Sequence, residues 1–219
     1  MATDHRPSPG PMAVLAMLVV LFVIPSAEAQ RAAGRIVLSG FAAFPEGWTA
    51  QGEFRPADLY RVVTEDDGPY LRAAERSGGA RIFKKTAWDS AAYPIIEWRW
   101  RVTKWPSNAA AQVSLYVSLD TDIFGIPTIL KYTWSRSTPE GTVTEGGFFR
   151  PIDIVVQSGA VDQPNEWIAE RIDARADFER LIGRAPKGAA YGIGLLADPG
   201  VVVEIGEITA GVRSGQSIP

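Results

Sequence analysis

From Ile95 to Thr103 the chain reads I-I-E-W-R-W-R-V-T. Ile96, Trp98, Trp100 and Val102 fall on one side of an extended backbone, and Ile95, Glu97, Arg99 and Arg101 on the other. A period of two with aromatics opposed to charge predicts a strand with one buried face. Gln112 to Asp120 repeats the pattern, with Val113, Leu115, Val117 and Leu119 opposed to Ser114, Tyr116, Ser118 and Asp120. Shorter runs of the same kind predict strands over Arg35–Ser39, Tyr60–Thr64, Tyr70–Ala74, Ala80–Lys84, Thr128–Ser135, Ile152–Gln157, Trp167–Ile172, Tyr191–Ala197 and Val201–Ile208. The turn Asp66-Asp67-Gly68-Pro69 joins two of them as a hairpin. One helix is expected near 173–183. Asp173 can cap its start, Ala174, Phe178, Leu181 and Ile182 recur at helical spacing, and Gly183 with Pro186 stops it. About ten short strands and one helix predict a mainly β fold, an antiparallel β-sandwich of jelly-roll-like form. The connections Trp105–Ala111 and Pro139–Gly147 look long for a closed up-and-down barrel.

The first residues break this pattern. Met12 to Ile24 is an uninterrupted apolar run, followed by Ala27-Glu28-Ala29 with small residues placed for a cut before Gln30. The run spans about 20 Å as a helix, short of the ~30 Å of bilayer hydrocarbon. Residues 1–29 are therefore expected to be a secretory signal, with no membrane span once it is removed. That places the protein in the periplasm or the medium. Residues 30–213 are expected to form one β-sandwich domain and 214–219 a frayed tail.

Removal of the signal changes the available chemistry. The chain has 219 residues, no cysteine and a single histidine, and that histidine, His5, leaves with the signal. A chain without His or Cys cannot run a Ser-His-Asp triad or a Cys-His pair, or build the usual zinc site. Of 22 basic and 25 acidic residues, Arg6, Asp4 and Glu28 also leave, so 21 face 23. A nucleic-acid binder would need a basic excess, and none exists.

The candidate chemistry is carried by arginine, tyrosine, carboxylate and tryptophan. Arg99 and Arg101 share one face of their predicted strand. If the 112–120 strand lies beside it, Tyr116 and Asp120 share that face, a set suited to sugar hydroxyls or an anionic sugar. The alternative is a solvated face of ion pairs. Trp98, Trp100, Trp134 and Trp167 are expected in the core. Trp48, Trp88 and Trp105 lie near chain breakers, and Trp105 joins the candidate ligand-binding set. Asp120-Thr121-Asp122 shows two of the six to eight oxygens calcium needs and reads first as a turn, so no cofactor is expected. Glu97, Asp120, Asp153 and Glu170 are the carboxylates a glycoside hydrolase could use. Gly192-Ile193-Gly194 lacks the third glycine and the helix of a phosphate loop, and reads as strand packing.

Several segments resemble a known bacterial family. Y-P-I-I-E-W-R-W-R-V at 93–102, the stretch 111–119, K-Y-T-W-S at 131–135, I-D-I-V-V-Q-S-G at 152–159, W-I-A-E-R at 167–171 and D-A-R-A-D-F-E-R-L-I-G at 173–183 occur in its order. Together they resemble the domain-of-unknown-function family numbered 3047. The resemblance implies an exported, β-sandwich-like protein and carries no catalytic residue. The chain departs from the family where members often have an acidic D-x-D-N-T-like stretch. Here Leu196-Ala-Asp-Pro-Gly-Val201 keeps only Asp198.

Three functions are compatible with these patterns. The favoured one is a non-catalytic module binding glycan or another component of the cell envelope. The others are a carboxylate-dependent glycoside hydrolase or a polysaccharide lyase using Tyr116 with arginines, and a structural protein that binds an envelope protein.

Overall fold

The computed structural model describes residues 34–122, 124–146, 151–159 and 166–215. The expected signal segment and the last four residues of the expected tail lie outside these. The strands are β1 Arg35–Ser39, β2 Trp48–Ala50, β3 Tyr60–Glu65, β4 Gly68–Ala73, β5 Ala80–Lys85, β6 Ile95–Lys104, β7 Gln112–Thr121, β8 Pro127–Ser135, β9 Val143–Thr144, β10 Ile152–Ser158, β11 Ile168–Asp173, β12 Gly192–Ala197, β13 Val202–Ile205 and β14 Ile208–Gly211. Two helices accompany them, α1 Pro56–Leu59 and α2 Ala174–Ile182.

The strands form two seven-stranded sheets packed as a mainly β sandwich. In the first sheet β6 is central, with β11 along one side and β13 and β14, end to end, along the other. β4 and β3 extend the sheet beyond β13, and β1 extends it beyond β14. Gly206 and Glu207 interrupt what the sequence pattern read as one strand over 201–208. A Cβ on Gly206 would sit 2.7 Å from the Arg99 side chain, so only glycine lets that arginine cross. The second sheet runs β2-β5-β12-β7-β8-β10-β9. Its pairs are antiparallel except β8 with β10.

Alternation does what the sequence pattern requires. Ile96, Trp98, Trp100 and Val102 from β6 and Val113, Leu115, Val117 and Leu119 from β7 are all buried in one core. Trp98 and Trp100 stand edge to face at 5.3 Å, and Trp100 reaches Trp134 of the opposite sheet at 5.8 Å. α2 closes one side of the core with Phe178, fully buried. The Asp173 carboxylate accepts the Ala176 N–H at its start, and Gly183 ends it in a left-handed conformation.

Two expectations fail here. β6 and β7 are not neighbours; they belong to different sheets. Trp105, at the exit of β6, packs edge to face on Trp134 of the second sheet at 5.9 Å. Arg136 donates to the carbonyls of Pro106 and Asn108. These contacts carry residues 105–111 across the sandwich as a crossover. Trp167 is not core either. It precedes β11 in register with the outer face, where its indole lies under Arg99 and Arg101 at 4.4 and 4.5 Å.

Candidate functional site

The outer faces of the two sheets separate the residues singled out from the sequence. On the first sheet Arg99 and Arg101 are engaged by carboxylates. Arg99 pairs with Asp67, and Arg101 with Glu65 at 2.7 Å and with Glu204. Glu204 is only 1% exposed and also holds Arg72 at 2.5 Å. The Tyr70 hydroxyl donates to Glu65 at 2.8 Å, and its ring meets Trp167 edge-on at 5.4 Å. Hydrogen bonds from Arg101 and Tyr70 hold the Glu65 carboxyl below its usual range, as the Arg99 contact does for Asp67. A depression of about 550 Å³ lies on this face. The three arginines that line it are each matched by a carboxylate: Arg35 with Glu207, Arg99 with Asp67, Arg171 with Glu97; Glu170 also borders it.

Tyr116 belongs to the outer face of the second sheet, and Asp120 lies near the end of the same strand, past a β-bulge. The expected shared face with Arg99 and Arg101 does not form, because the 105–111 crossover puts their strands in opposite sheets. Asp120 is 2% exposed, its carboxylate bound by the Arg184 guanidinium and by the backbone N–H groups of Thr121 and Lys187. Asp122 accepts the N–H groups of Phe124 and Ile126 and closes the turn after β7. Both carboxylates are thus held by donors of the chain itself. Trp105 is half-buried against Trp134, and Trp48 and Trp88 are buried.

Tyr116 lines a groove on the outer face of the second sheet. Its floor follows from the register. Gly194 on β12 lies between Phe83 on β5 and Tyr116 on β7, and Gly192 lies between Lys85 and Ser118. A Cβ on Gly192 would sit 2.3 Å from the Lys84 carbonyl oxygen, and one on Gly194 3.1 Å from that of Ile82. Strand packing therefore demands glycine at 192 and leaves only a tight fit for a side chain at 194. The same two glycines leave a trough two strand spacings wide, about 9–10 Å, between side chains on β5 and β7. The cavity measures about 350 Å³, within the size range of small-ligand sites.

Aromatic rings and cations wall this trough. Phe83 is 41% exposed, unusual for its type on a structured strand. The Arg81 guanidinium lies 5.6 Å from the Tyr116 ring centre, and the Lys85 ammonium 5.3 Å from that of Tyr191. Ile129, Pro127 and Pro151 close the far side. At the Arg81 end a polar network is buried. Lys131 donates to Asp153 at 2.6 Å, Thr133 also donates to Asp153, and Ser114 and Thr133 are 3.1 Å apart. Burial raises the Tyr116 phenol above its ordinary value, with Arg81 opposing, which makes it a poorer proton acceptor at neutral pH. Arg81, Phe83, Lys85 and Tyr191 were not among the residues expected from sequence. The available signal was the alternation Arg81, Phe83, Lys85 facing the glycines of β12.

The four candidate hydrolytic carboxylates are dispersed. Glu97 points outward on the first sheet, while Glu170, one position out of register with it on β11, points to the other side. Trp100 donates to Glu170 at 3.2 Å, and burial pushes its carboxyl up to about 7. Asp120 stands near the end of β7, past a β-bulge, and Asp153 near the start of β10. β8 separates their strands, and register puts them roughly 14 Å apart, beyond the ~5–10 Å a glycosidase pair spans. Among the described residues no three His, Cys, Asp or Glu side chains group as metal ligands, and no helix is long and apolar enough to cross a membrane.

The family model described as a protein of unknown function, DUF3047, matches residues 46–116 and 125–200. The chain belongs to this family. No curated protein matches it in sequence. Among solved structures it is similar to the family 30 carbohydrate-binding module of a cellulosomal cellulase from Clostridium thermocellum. The two share 12% identity over 82% of this chain and 99% of the module, with a TM-score of 0.51. It is also similar to the family 11 carbohydrate-binding module from the same organism, described in complex with a β-1,3-1,4-mixed-linked tetrasaccharide. There the identity is 10% over 82% of this chain and 96% of the module, with a TM-score of 0.48. At such identity the first likeness establishes a shared β-sandwich fold.

Proposed function

We propose that this member of the family is an exported, non-catalytic module that binds glycan in the groove of its second sheet. The observation that carries the proposal is the arrangement of Phe83, Tyr116 and Tyr191 around a floor of Gly192 and Gly194. Aromatic rings offer broad apolar faces to the C–H side of a pyranose. Ser118, Arg81 and Lys85 border the same trough and supply polar contacts at the ring edges. The fold shared with a carbohydrate-binding module agrees with this reading. So does the dispersal of the four candidate hydrolytic carboxylates.

The export signal at residues 1–29 gives the module its setting, the periplasm or the medium, where cell-envelope or environmental polysaccharides are the available partners. Calorimetric titration of the protein with a panel of soluble neutral and acidic polysaccharides tests the function. At least one polymer is expected to bind. Phe83→Ala, at an exposed position, should weaken that binding roughly 30-fold, about 2 kcal/mol, as loss of a central aromatic anchor does. Absence of binding across the panel, or full affinity in Phe83→Ala, contradicts the proposal.

A further inference from the structure

We infer that the ligand of this groove is an acidic polysaccharide, its carboxylate or sulfate groups meeting Arg81 and Lys85 while a sugar face lies on Phe83. The inference rests on the glycan-binding function proposed above and names the class of glycan.

Arg81, Phe83 and Lys85 are alternate residues of β5, so their side chains leave the same face of the sheet. The two cations are four positions apart, about 13–14 Å along the strand, with an exposed aromatic ring midway. A ligand lying along this strand meets positive charge, apolar surface and positive charge in turn. That order suits a chain of several sugars with repeating anionic groups and exceeds what one monosaccharide can span.

Both cations are available to a ligand. Each lies over a tyrosine ring, Arg81 on Tyr116 and Lys85 on Tyr191, which holds it at the groove wall without cancelling its charge. Among the described residues neither has a carboxylate within ion-pair distance, whereas Arg35, Arg72, Arg99, Arg101 and Arg171 on the opposite sheet all do. The acids nearest Arg81 are already engaged. Asp153 is held by Lys131 and Thr133. Asp198, half-buried, accepts the Gln112 N–H at 3.1 Å and interacts with Arg81 electrostatically without forming an ion pair. A guanidinium fork matches a carboxylate or sulfate in two parallel hydrogen bonds, a geometry that neutral hydroxyls exploit less well. With a net charge of −3, the chain has no overall attraction for polyanions, so such binding must come from a local site.

The test compares each acidic polymer with its neutralised form. Polygalacturonate is titrated beside its fully methyl-esterified form, and a sulfated galactan beside the same galactan desulfated. At least one charged form is expected to bind ten or more times tighter than its neutral partner and to weaken with added salt. Arg81→Gln and Lys85→Gln should each reduce that affinity about tenfold with the thermal midpoint unchanged. Arg171→Gln, on the other sheet, should leave it intact. Equal affinity for charged and neutral forms overturns the inference and leaves glycan binding standing. Binding of no polymer, charged or neutral, overturns both. A single-stranded DNA oligomer binding as tightly as the acidic polymers, or full affinity in both Gln variants, also overturns the inference.

Discussion

On the outer face of the first sheet, Arg35, Arg72, Arg99, Arg101 and Arg171 each meet a carboxylate; on the outer face of the second, Arg81 and Lys85 meet aromatic rings instead. The first face holds the larger depression, about 550 Å³ against about 350 Å³, yet the arginines that line it, Arg35, Arg99 and Arg171, are each paired with a carboxylate. The second face is smaller and floored by glycine, and keeps one phenylalanine exposed. Volume and arginine count favour the first face. Unspent chemistry favours the second, because a ligand gains little from charges it must first pull out of existing pairs.

The contrast is sharpened most by breaking the sealed face at its centre. Glu204 is buried between Arg72 and Arg101. Glu204→Ala leaves two guanidinium groups without their shared acid, which should cost about 3–5 kcal/mol. Urea denaturation should read that loss directly, and glycan binding by the remaining folded protein should not change.

Gly192→Ala attacks the other face through its floor. The added Cβ meets the Lys84 carbonyl and the Lys85 Cα, backbone atoms that cannot swing aside. A loss of about 1–3 kcal/mol is expected, with β5 displaced from β12 and glycan binding lost with it. Gly78→Ala, with open space at its Cβ and no left-handed backbone, should fall within ~0.5 kcal/mol of the parent in the same melts.

Glu170 marks where the sealed face gives way to the core. Burial raises its carboxyl to about 7, against an unfolded value near 4.3. The native state therefore holds the proton more tightly than the unfolded chain. The stability this adds is complete below about pH 4.3 and is lost as pH rises through 7. Glu170→Gln keeps an acceptor for the Trp100 indole and removes the titration. At pH 8 it should be more stable than the parent by about 1–2 kcal/mol after allowance for solvent screening, with little difference at pH 4. Chemical denaturation at both pH values checks the sign.

The smallest effect belongs to the rim of the first face. Arg171→Gln breaks an exposed pair with Glu97 and should cost under about 1 kcal/mol. A thermal melt together with a glycan titration should find the variant close to the parent in both.

Local patterns made much of the fold legible. The alternations at 95–103 and 112–120 place Trp98, Trp100, Val113 and Leu115 inside, and Asp173 with Gly183 brackets the helix. What alternation cannot state is which sheet a strand joins. The inner and outer faces of β6, and of β7 as far as the bulge after Ser118, are read correctly, yet Arg99 and Tyr116 lie on opposite sides of the sandwich because residues 105–111 cross it. The partners that seal Arg99 and Arg101 come from Asp67, Glu65 and Glu204, distant in sequence and adjacent only after β4 and β13 pair. The glycine floor was visible as Gly192-Ile193-Gly194, but it becomes a groove only when β5 and β7 flank β12. Trp167 shows the converse error. Its size suggested core, and its register with β6 puts it outside, under two arginines.

The assignment of ligand binding to the second face is tested most directly by amide NMR during titration with an oligogalacturonate and, separately, a cello-oligosaccharide. Shifts confined to Arg81, Phe83, Lys85, Tyr116 and Tyr191–Gly194 are the predicted result for whichever sugar binds. Shifts gathered instead on Asp67, Glu97, Arg99 and Arg171 would place the site on the sealed face and contradict the account.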